Sequence, residues 1–261
     1  MKQDLALIES AAREVGLVAR RMKAQGLKVW SKDGGSPVTD ADLEVDRLLK
    51  ERLGAARPDY GWLSEETADD PTRLTKSRLF VVDPIDGTVA FIKERPFWAV
   101  SIAVVEDGQP VAGIVHAPEL DETFTAIVGG GAFLNGAAIT ASAQDIVEGM
   151  GMLGDRQMFG HPAWPTPWPE MRIETRNSIA YRMCLVADGR FDAAIALTSK
   201  NEWDLAAADL ICREAGALVT DHRGRGYSYN RPDPKEPSLV CAAPAVHPLI
   251  LDRVRHIERG N

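Results

Sequence analysis

Two carboxylates flank a proline in the segment Asp83-Pro84-Ile85-Asp86-Gly87-Thr88. Pro84 bends the chain between them, so that both acids and the Ile85 carbonyl can point into one space. Oxygen donors so crowded suit a hard cation such as magnesium. Gly87 and Thr88 follow with backbone N–H groups of the kind that hold a phosphate oxygen at a helix N-terminus. Taken alone, the segment leaves a second account open, an Asp-Pro turn with solvated carboxylates.

Three more segments offer oxygen ligands. Ser64-Glu65-Glu66-Thr67 closes the short apolar run Gly61-Trp62-Leu63, although paired glutamates are also common on surfaces. Trp203-Asp204 opens an alanine-rich helix, where Asp204 is either a helix cap or a metal ligand. The stretch from Lys32 to Asp42, KDGGSPVTDAD, is rich in turn residues and delivers Thr39 and Asp42 to the start of a helix.

The elements that must position these groups follow from periodicity. Leu5, Ile8, Ala12, Val15, Ala19 and Met22 recur at helical spacing, which predicts an amphipathic helix over 4–25. A second helix is expected from the Thr39 cap to Gly54. The run LFVVD (79–83) reads as a buried strand that the next proline stops, and AVSIAVV (99–105) and VAGIVHA (111–117) read as a hairpin across EDGQP. A third strand is expected over 123–128. Four prolines and two tryptophans between Met158 and Met171 exclude a regular helix or central strand there. Trp164 and Trp168 in that loop are expected to pack on the surface, with a lid or a contact in a homodimer as alternatives. Beyond it the pattern predicts helices over 178–188 and 204–215 and from 246, with strands over 191–197, 217–220 and 239–242. The change of texture near residue 140 suggests two halves, 1–140 carrying most of the acids and 141–261 carrying Asp204 and the substrate side.

Composition narrows the function classes. The apolar fraction of 45% beside 26% charged residues is that of an ordinary globular protein. No stretch approaches the roughly 18 uncharged apolar residues of a membrane helix. The N-terminal MKQDLALIESAAREVG interrupts its apolar residues with acids, so no secretory signal is expected and the location is read as cytoplasmic. Cys184, Cys212 and Cys241 are odd in number and lack a CxxC pair, which disfavours both a disulfide framework and a zinc site. A net charge of -8 disfavours a nucleic-acid polymer as partner while admitting a small anion held through cations.

Taken together, SPVTDAD, SEET, DPIDGT, GGGAFLNG and WDLAAADLICREAGA, in this order, resemble the inositol monophosphatase superfamily. That superfamily includes inositol monophosphatases, 3'(2'),5'-bisphosphate nucleotidases, and histidinol-phosphate and fructose-bisphosphate phosphatases. The resemblance spans nearly the whole chain. It implies a layered α/β/α/β/α sandwich of mixed α/β class, and a lithium-sensitive phosphomonoesterase using two to three Mg2+ ions. By position, it makes Glu65, Asp83 and the Ile85 carbonyl ligands of one ion and Asp83, Asp86 and Asp204 ligands of another. Gly87 and Thr88 would then bind phosphate, while Asp42 would bond Thr88 and orient the attacking water. Glu66 and Lys32 would support the ligands without holding an ion. Physical logic runs the same way, because four acids in one cleft repel one another unless cations are present. Their presence also argues against a non-catalytic metal-binding or regulatory protein of the same fold.

On the substrate side the chain departs from the animal inositol enzymes, which carry a glutamate shortly before the WD pair. Residues 193–201 contain no acid, and Lys200 stands in that neighbourhood. A lysine there suits a second anionic group, as in 3'-phosphoadenosine 5'-phosphate, with an exposed loop lysine as the plainer account. The style of residues 32–42 also looks more like the bacterial nucleotidase and histidinol-phosphatase branches. Ser178 falls where the family brings a small polar residue toward substrate, and a helix cap would explain it equally well.

Overall fold

The computed structural model describes residues 1–32, 35–162 and 164–257; Asp33, Gly34 and Ala163, which the sequence placed in loops, lie outside them. Helix α1 (Lys2–Gln25) turns Ile8, Ala11, Ala12, Val15 and Ala19 inward, as its periodicity predicts. A short hairpin, β1 (Val29–Ser31) and β2 (Pro37–Thr39), leads into α2 (Asp40–Ala56). Thr39 caps α2 and shares a reciprocal capping box with Asp42, and the helix runs through Gly54, two residues beyond the expected stop.

Next come β3 (Gly61–Ser64), a 3-10 turn (Pro71–Thr75), β4 (Arg78–Asp86), the short α3 (Thr88–Ile92), β5 (Ala99–Glu106), β6 (Gln109–Ala117), β7 (Glu122–Ile127), β8 (Ala132–Leu134) and β9 (Ala137–Ile139). Strands β3 to β9 lie side by side in one seven-stranded sheet, antiparallel except for the parallel pair β3–β4. One expectation fails here. Pro84 does not stop β4, because the strand continues to Asp86 with a register shift between Asp83 and Asp86 that accommodates a residue lacking an N–H.

The remaining elements are β10 (Gly151–Leu153), α4 (Arg156–Phe159), β11 (Arg172–Glu174), α5 (Ile179–Ala187), β12 (Ala193–Ala196), β13 (Lys200–Asn201), α6 (Glu202–Glu214), β14 (Leu218–Thr220), β15 (Lys235–Glu236), β16 (Leu239–Ala242) and α7 (His247–Val254). A five-stranded sheet takes the order β11-β10-β12-β16-β14, with β10 parallel to both of its neighbours. The proline-rich loop opens with the single turn α4 and is otherwise irregular; Trp164 and Trp168 pack edge to face with ring centroids 5.5 Å apart.

Strand alternation explains the layering. Phe80, Val82, Val100, Ile102 and Val104 face α1 and α2, while Leu79, Val81, Ala103 and Val105 face α5 and α6. The five-stranded sheet covers the other side of α5 and α6 through Ala194 and Cys241, and turns Ala193, Ile195 and Val240 toward α7. The result is α/β/α/β/α. Gly113 lets the middle helix layer close on the large sheet, since a Cβ there would stand 2.9 Å from the Ala207 carbonyl oxygen. The first turn of α6 is thereby brought to the end of β4. All three cysteines are reduced and buried, and among the described residues no helix is long and apolar enough to cross a membrane.

Candidate metal centre

The end of β4 and the first turn of α6 meet at three acids. Carboxylate oxygens of Asp83, Asp86 and Asp204 lie within 4.8 Å of one another. They line a pocket of about 200 Å³ together with Ser36, Pro37, Glu65, Gly87, Thr88, Val89 and Asn177. Asp83 Oδ1 accepts the Ile85 amide at 3.1 Å, which closes the bulged turn on itself. Asp86 accepts the Ser178 hydroxyl at 2.5 Å and the amides of Ile179 and Ala180 at 3.2 and 2.7 Å, so the N-terminus of α5 clamps it. Asp204 accepts the Asn201 amide at 2.9 Å. It sits in the first turn of α6 rather than at the cap, because the helix begins at Glu202.

Burial and mutual repulsion raise the pKa of each of these acids. Desolvation, then the charges of Glu65, Asp86 and Asp204, hold Asp83 well above the usual carboxylate range. Desolvation lifts Asp86 to about 6 against the opposing hydrogen bonds from Ser178, Ala180 and Ile179. Asp204 rises to about 7 through desolvation and the charge of Asp86. Every donor is a hard oxygen, which fits Mg2+ and not a thiophilic metal.

Glu65 faces the same pocket but stands outside the three-acid cluster. Lys32 reaches over from the β1–β2 connection and donates to Glu65 at 2.9 Å and to Glu66 at 2.6 Å. Burial would lower the Lys32 pKa, yet the two glutamates hold it above its ordinary value. Burial lifts Glu66 to about 7 in spite of Lys32. Asp42, also raised by burial, accepts the Thr39 amide at 2.8 Å and faces the Thr88 hydroxyl at 3.2 Å. The same hydroxyl lies 3.2 Å from the Ile85 carbonyl, so its one proton chooses between the two acceptors. Gly87 holds φ of 94, and a Cβ there would meet the Ser178 amide nitrogen at 3.0 Å and the Phe97 carbonyl at 3.1 Å; this turn demands glycine twice over.

Of the two accounts the sequence left open for Ser178, a residue facing substrate or a helix cap, the structure shows the cap. Ser178 is wholly buried, caps α5 by accepting the Tyr181 amide, and gives its proton to Asp86. Two residues escaped the sequence reading. Asp46, one turn beyond Asp42 on α2, accepts the hydroxyls of Ser64 and Thr67, both at 2.5 Å, and so brackets Glu65 and Glu66. Arg182 and Lys200 line a second pocket, of about 470 Å³, with Asp155, Met158, Asn177 and Thr198. Asn177 belongs to both pockets. A lone arginine four residues after Ser178, in the otherwise apolar helix IAYRMCLVA, was the available signal. Desolvation lowers its pKa, and its Nε donates to the Arg176 carbonyl at 2.5 Å.

A sequence profile described as the inositol monophosphatase family matches residues 1–259. The chain belongs to that family. It is 33% identical over 233 residues to a histidinol-phosphatase of Chlorobaculum parvum, covering 86% of this chain and 88% of that one. It is 32% identical over 234 residues to a 3'(2'),5'-bisphosphate nucleotidase of Aggregatibacter actinomycetemcomitans, covering 84% and 85%. The solved structure of a Thermotoga maritima IMPase superposes with a TM-score of 0.83 at 29% identity, covering 97% of this chain and 96% of that one. Membership makes the protein a phosphomonoester hydrolase of a metal-dependent family, and its acid cluster is of the kind such an enzyme requires.

Proposed function

We propose that the protein is a Mg2+-dependent, lithium-sensitive phosphomonoesterase whose leading substrate is 3'-phosphoadenosine 5'-phosphate. The three acids within 4.8 Å, two of them buried and Asp204 half-buried, support the metal, since carboxylates so crowded repel one another unless a cation joins them. Asp83, Asp86, Asp204, Glu65 and the Ile85 carbonyl would hold two to three Mg2+ ions. Those ions would polarise the phosphate ester and lower the pKa of a water. With the Ile85 carbonyl so engaged, the Thr88 hydroxyl donates to Asp42 and leaves its own oxygen free to accept from that water. The Gly87 and Thr88 amides would receive phosphate oxygens. Lithium sensitivity follows from the family resemblance.

One observation supports the substrate reading. The pocket that adjoins the acid cluster through Asn177 carries two cations, Arg182 and Lys200. A second phosphate would meet charge-assisted donors there, whereas a neutral polyol gains little from them. Asp155 in the same pocket favours histidinol phosphate as the second reading, because its carboxylate suits an amine. The deciding experiment assays one purified sample on 3'-phosphoadenosine 5'-phosphate, inositol 1-phosphate, histidinol phosphate and fructose 1,6-bisphosphate, with Mg2+, with chelator and with added lithium. Fastest release from the bisphosphate nucleotide is expected, and a faster rate on either sugar phosphate or on histidinol phosphate overturns the substrate reading. Full turnover in chelator overturns the metal.

A further inference from the structure

Outside the linings of both pockets, a buried polar network joins three segments distant in sequence. Glu202, fully buried at the first position of α6, accepts the Asn230 amide at 2.6 Å through Oε2 and the Arg231 amide at 3.0 Å through Oε1. Asn230 holds a left-handed φ of 63, which turns its side chain onto Arg73. Arg73 is 1% exposed and lies in the 3-10 turn that follows Glu65 and Glu66. It donates to Asn230 Oδ1 at 2.8 Å, to the Arg231 carbonyl at 3.0 Å and to both oxygens of Asp69 at 2.6 and 2.9 Å. In return Asn230 Nδ2 donates to the Arg73 carbonyl at 3.2 Å. The Glu202 amide closes the set on the Pro234 carbonyl at 2.9 Å.

We infer that Arg73, Asn230 and Glu202 form a clasp that positions Asp204 against Asp83 and Asp86. This rests on the reading of the three acids as a metal site. Asp204 lies two residues past Glu202, in a first helical turn that the capping box between Asn201 and Asp204 closes on itself but does not tie to the rest of the molecule. The clasp supplies that attachment. It ties the first turn of α6 to the 230–234 loop and, through Arg73, to the excursion that leaves the cluster at Glu65 and returns to it along β4. Both ends of the acid set therefore share one anchor that touches neither metal nor substrate. Like-charged carboxylates so close need such an anchor, because their mutual repulsion, once they are ionised, opposes the approach of Asp204 to Asp83 and Asp86. A loosened clasp weakens ion capture first and the chemical step second, since bound cations pull Asp204 back into place.

The test uses Asn230→Gly, which accepts the left-handed backbone while deleting the side chain that Arg73 grips, and Glu202→Gln, which keeps the shape but offers one acceptor for two amides. Mg2+ titrated calorimetrically into chelator-stripped protein should bind roughly tenfold more weakly in each, the scale seen when groups supporting metal ligands are removed. Half-maximal turnover should require correspondingly more Mg2+, with turnover at saturating Mg2+ little changed. Arg57→Met is the control. It breaks the ion pair between the end of α2 and Asp4 on α1, so it should lower the melting temperature and leave Mg2+ affinity as in wild type. Wild-type Mg2+ affinity in both clasp variants overturns the inference, as does an equal weakening in Arg57→Met, which would make the effect one of global stability. A wild-type protein that binds no Mg2+ at all overturns the metal reading itself, a result distinct from variants indifferent to a cation the wild type needs.

Discussion

The two walls of the candidate cleft, which meet at Asn177, are built on opposite plans. On the metal side, Asp83 and Asp86 leave a single strand, and each acid is fastened by amides or hydroxyls a few residues away or at a helix terminus packed against it. On the proposed substrate side, Asn177 precedes α5, Arg182 lies on it, Thr198 lies in the β12–β13 connection and Lys200 opens β13; Arg182 donates to the Arg176 carbonyl and Lys200 to Thr198 and Ser199, all neutral oxygens, while the charges of Asp86 and Asp155 act on Arg182 and that of Lys200 on Asp204. Acids that repel one another must be locked, or the cluster opens. Cations held by neutral oxygens can trade those partners for a ligand's phosphate at small cost. On the proposed reading the chemistry would reside in a locally encoded turn, and selectivity in exchangeable contacts assembled only by the tertiary fold.

The strongest test of the rigid wall is Asp83→Asn. This residue faces both Asp86 and Asp204, and each bound cation contributes several kcal/mol of transition-state stabilisation, so turnover should fall at least about a hundredfold with folding retained. Near-normal turnover in a folded variant would place the centre elsewhere. Metal removal gives the next largest effect, and it carries a pH signature. Asp86 at about 6 and Asp204 at about 7 both stand above the ordinary carboxylate value near 3.8. A folded state with raised pKa binds more protons than the unfolded chain, so the stability these protons confer is complete below about pH 4 and is lost as pH rises through 6 and 7. Mg2+ needs the same acids ionised. The gap in melting temperature between Mg2+-loaded and chelated protein should therefore widen from pH 5 to pH 8, and a gap independent of pH would separate the cation from these acids.

The difference between the walls also decided what the sequence could reveal. DPIDGT, SEET and WD stood out because a local turn needs those residue types at fixed spacing, and the structure brings Glu65, Asp83, Asp86 and Asp204 to one pocket, with Glu66 outside its lining. The long helices and the hairpin of β5 and β6 were legible from period. Strands β8, β9, β10 and β11, three residues each, were not, since three residues carry no periodicity. Pro84 misled because a bulge, invisible in sequence, rescues the strand. For Ser178 the sequence left a substrate contact and a helix cap open, and the structure shows the cap; its bond to Asp86 depends on where α5 lands. Arg182, Asp46 and Asn230 have no motif at all; their meaning comes from partners 18 or more residues away or from pockets formed by several elements.

Gly87→Ala probes the junction of the two walls, where the metal turn touches the start of α5. The added methyl would combine positive φ with backbone contacts at 3.0 and 3.1 Å, neither of which can yield without shifting the amides that hold Asp86. A loss of about 1–3 kcal/mol in unfolding free energy is expected, read by denaturant titration, together with roughly tenfold slower turnover. A stability loss with unchanged turnover would show that the walls are mechanically independent.

The smallest expected effect tests the exchangeable wall. Lys200 is half-buried, and its ammonium donates to Thr198 Oγ1 at 2.9 Å and to the Ser199 carbonyl at 3.1 Å. A substrate phosphate would replace such contacts rather than add to them, so the net gain is only the difference between a charged and a neutral acceptor. Lys200→Ala should accordingly cost about 1 kcal/mol in kcat/KM for 3'-phosphoadenosine 5'-phosphate, the low end of the range for a hydrogen bond to a charged group. The same change should leave inositol 1-phosphate nearly untouched, because a polyol offers no second anion. Removing a positive charge near Asp204 also has an electrostatic consequence, since Lys200 opposes the rise in the Asp204 pKa. That consequence acts on every substrate equally. The selective part is therefore the ratio of the two losses, measured at saturating Mg2+; a ratio near one would assign Lys200 to the metal wall and leave recognition of a second phosphate to Arg182 alone.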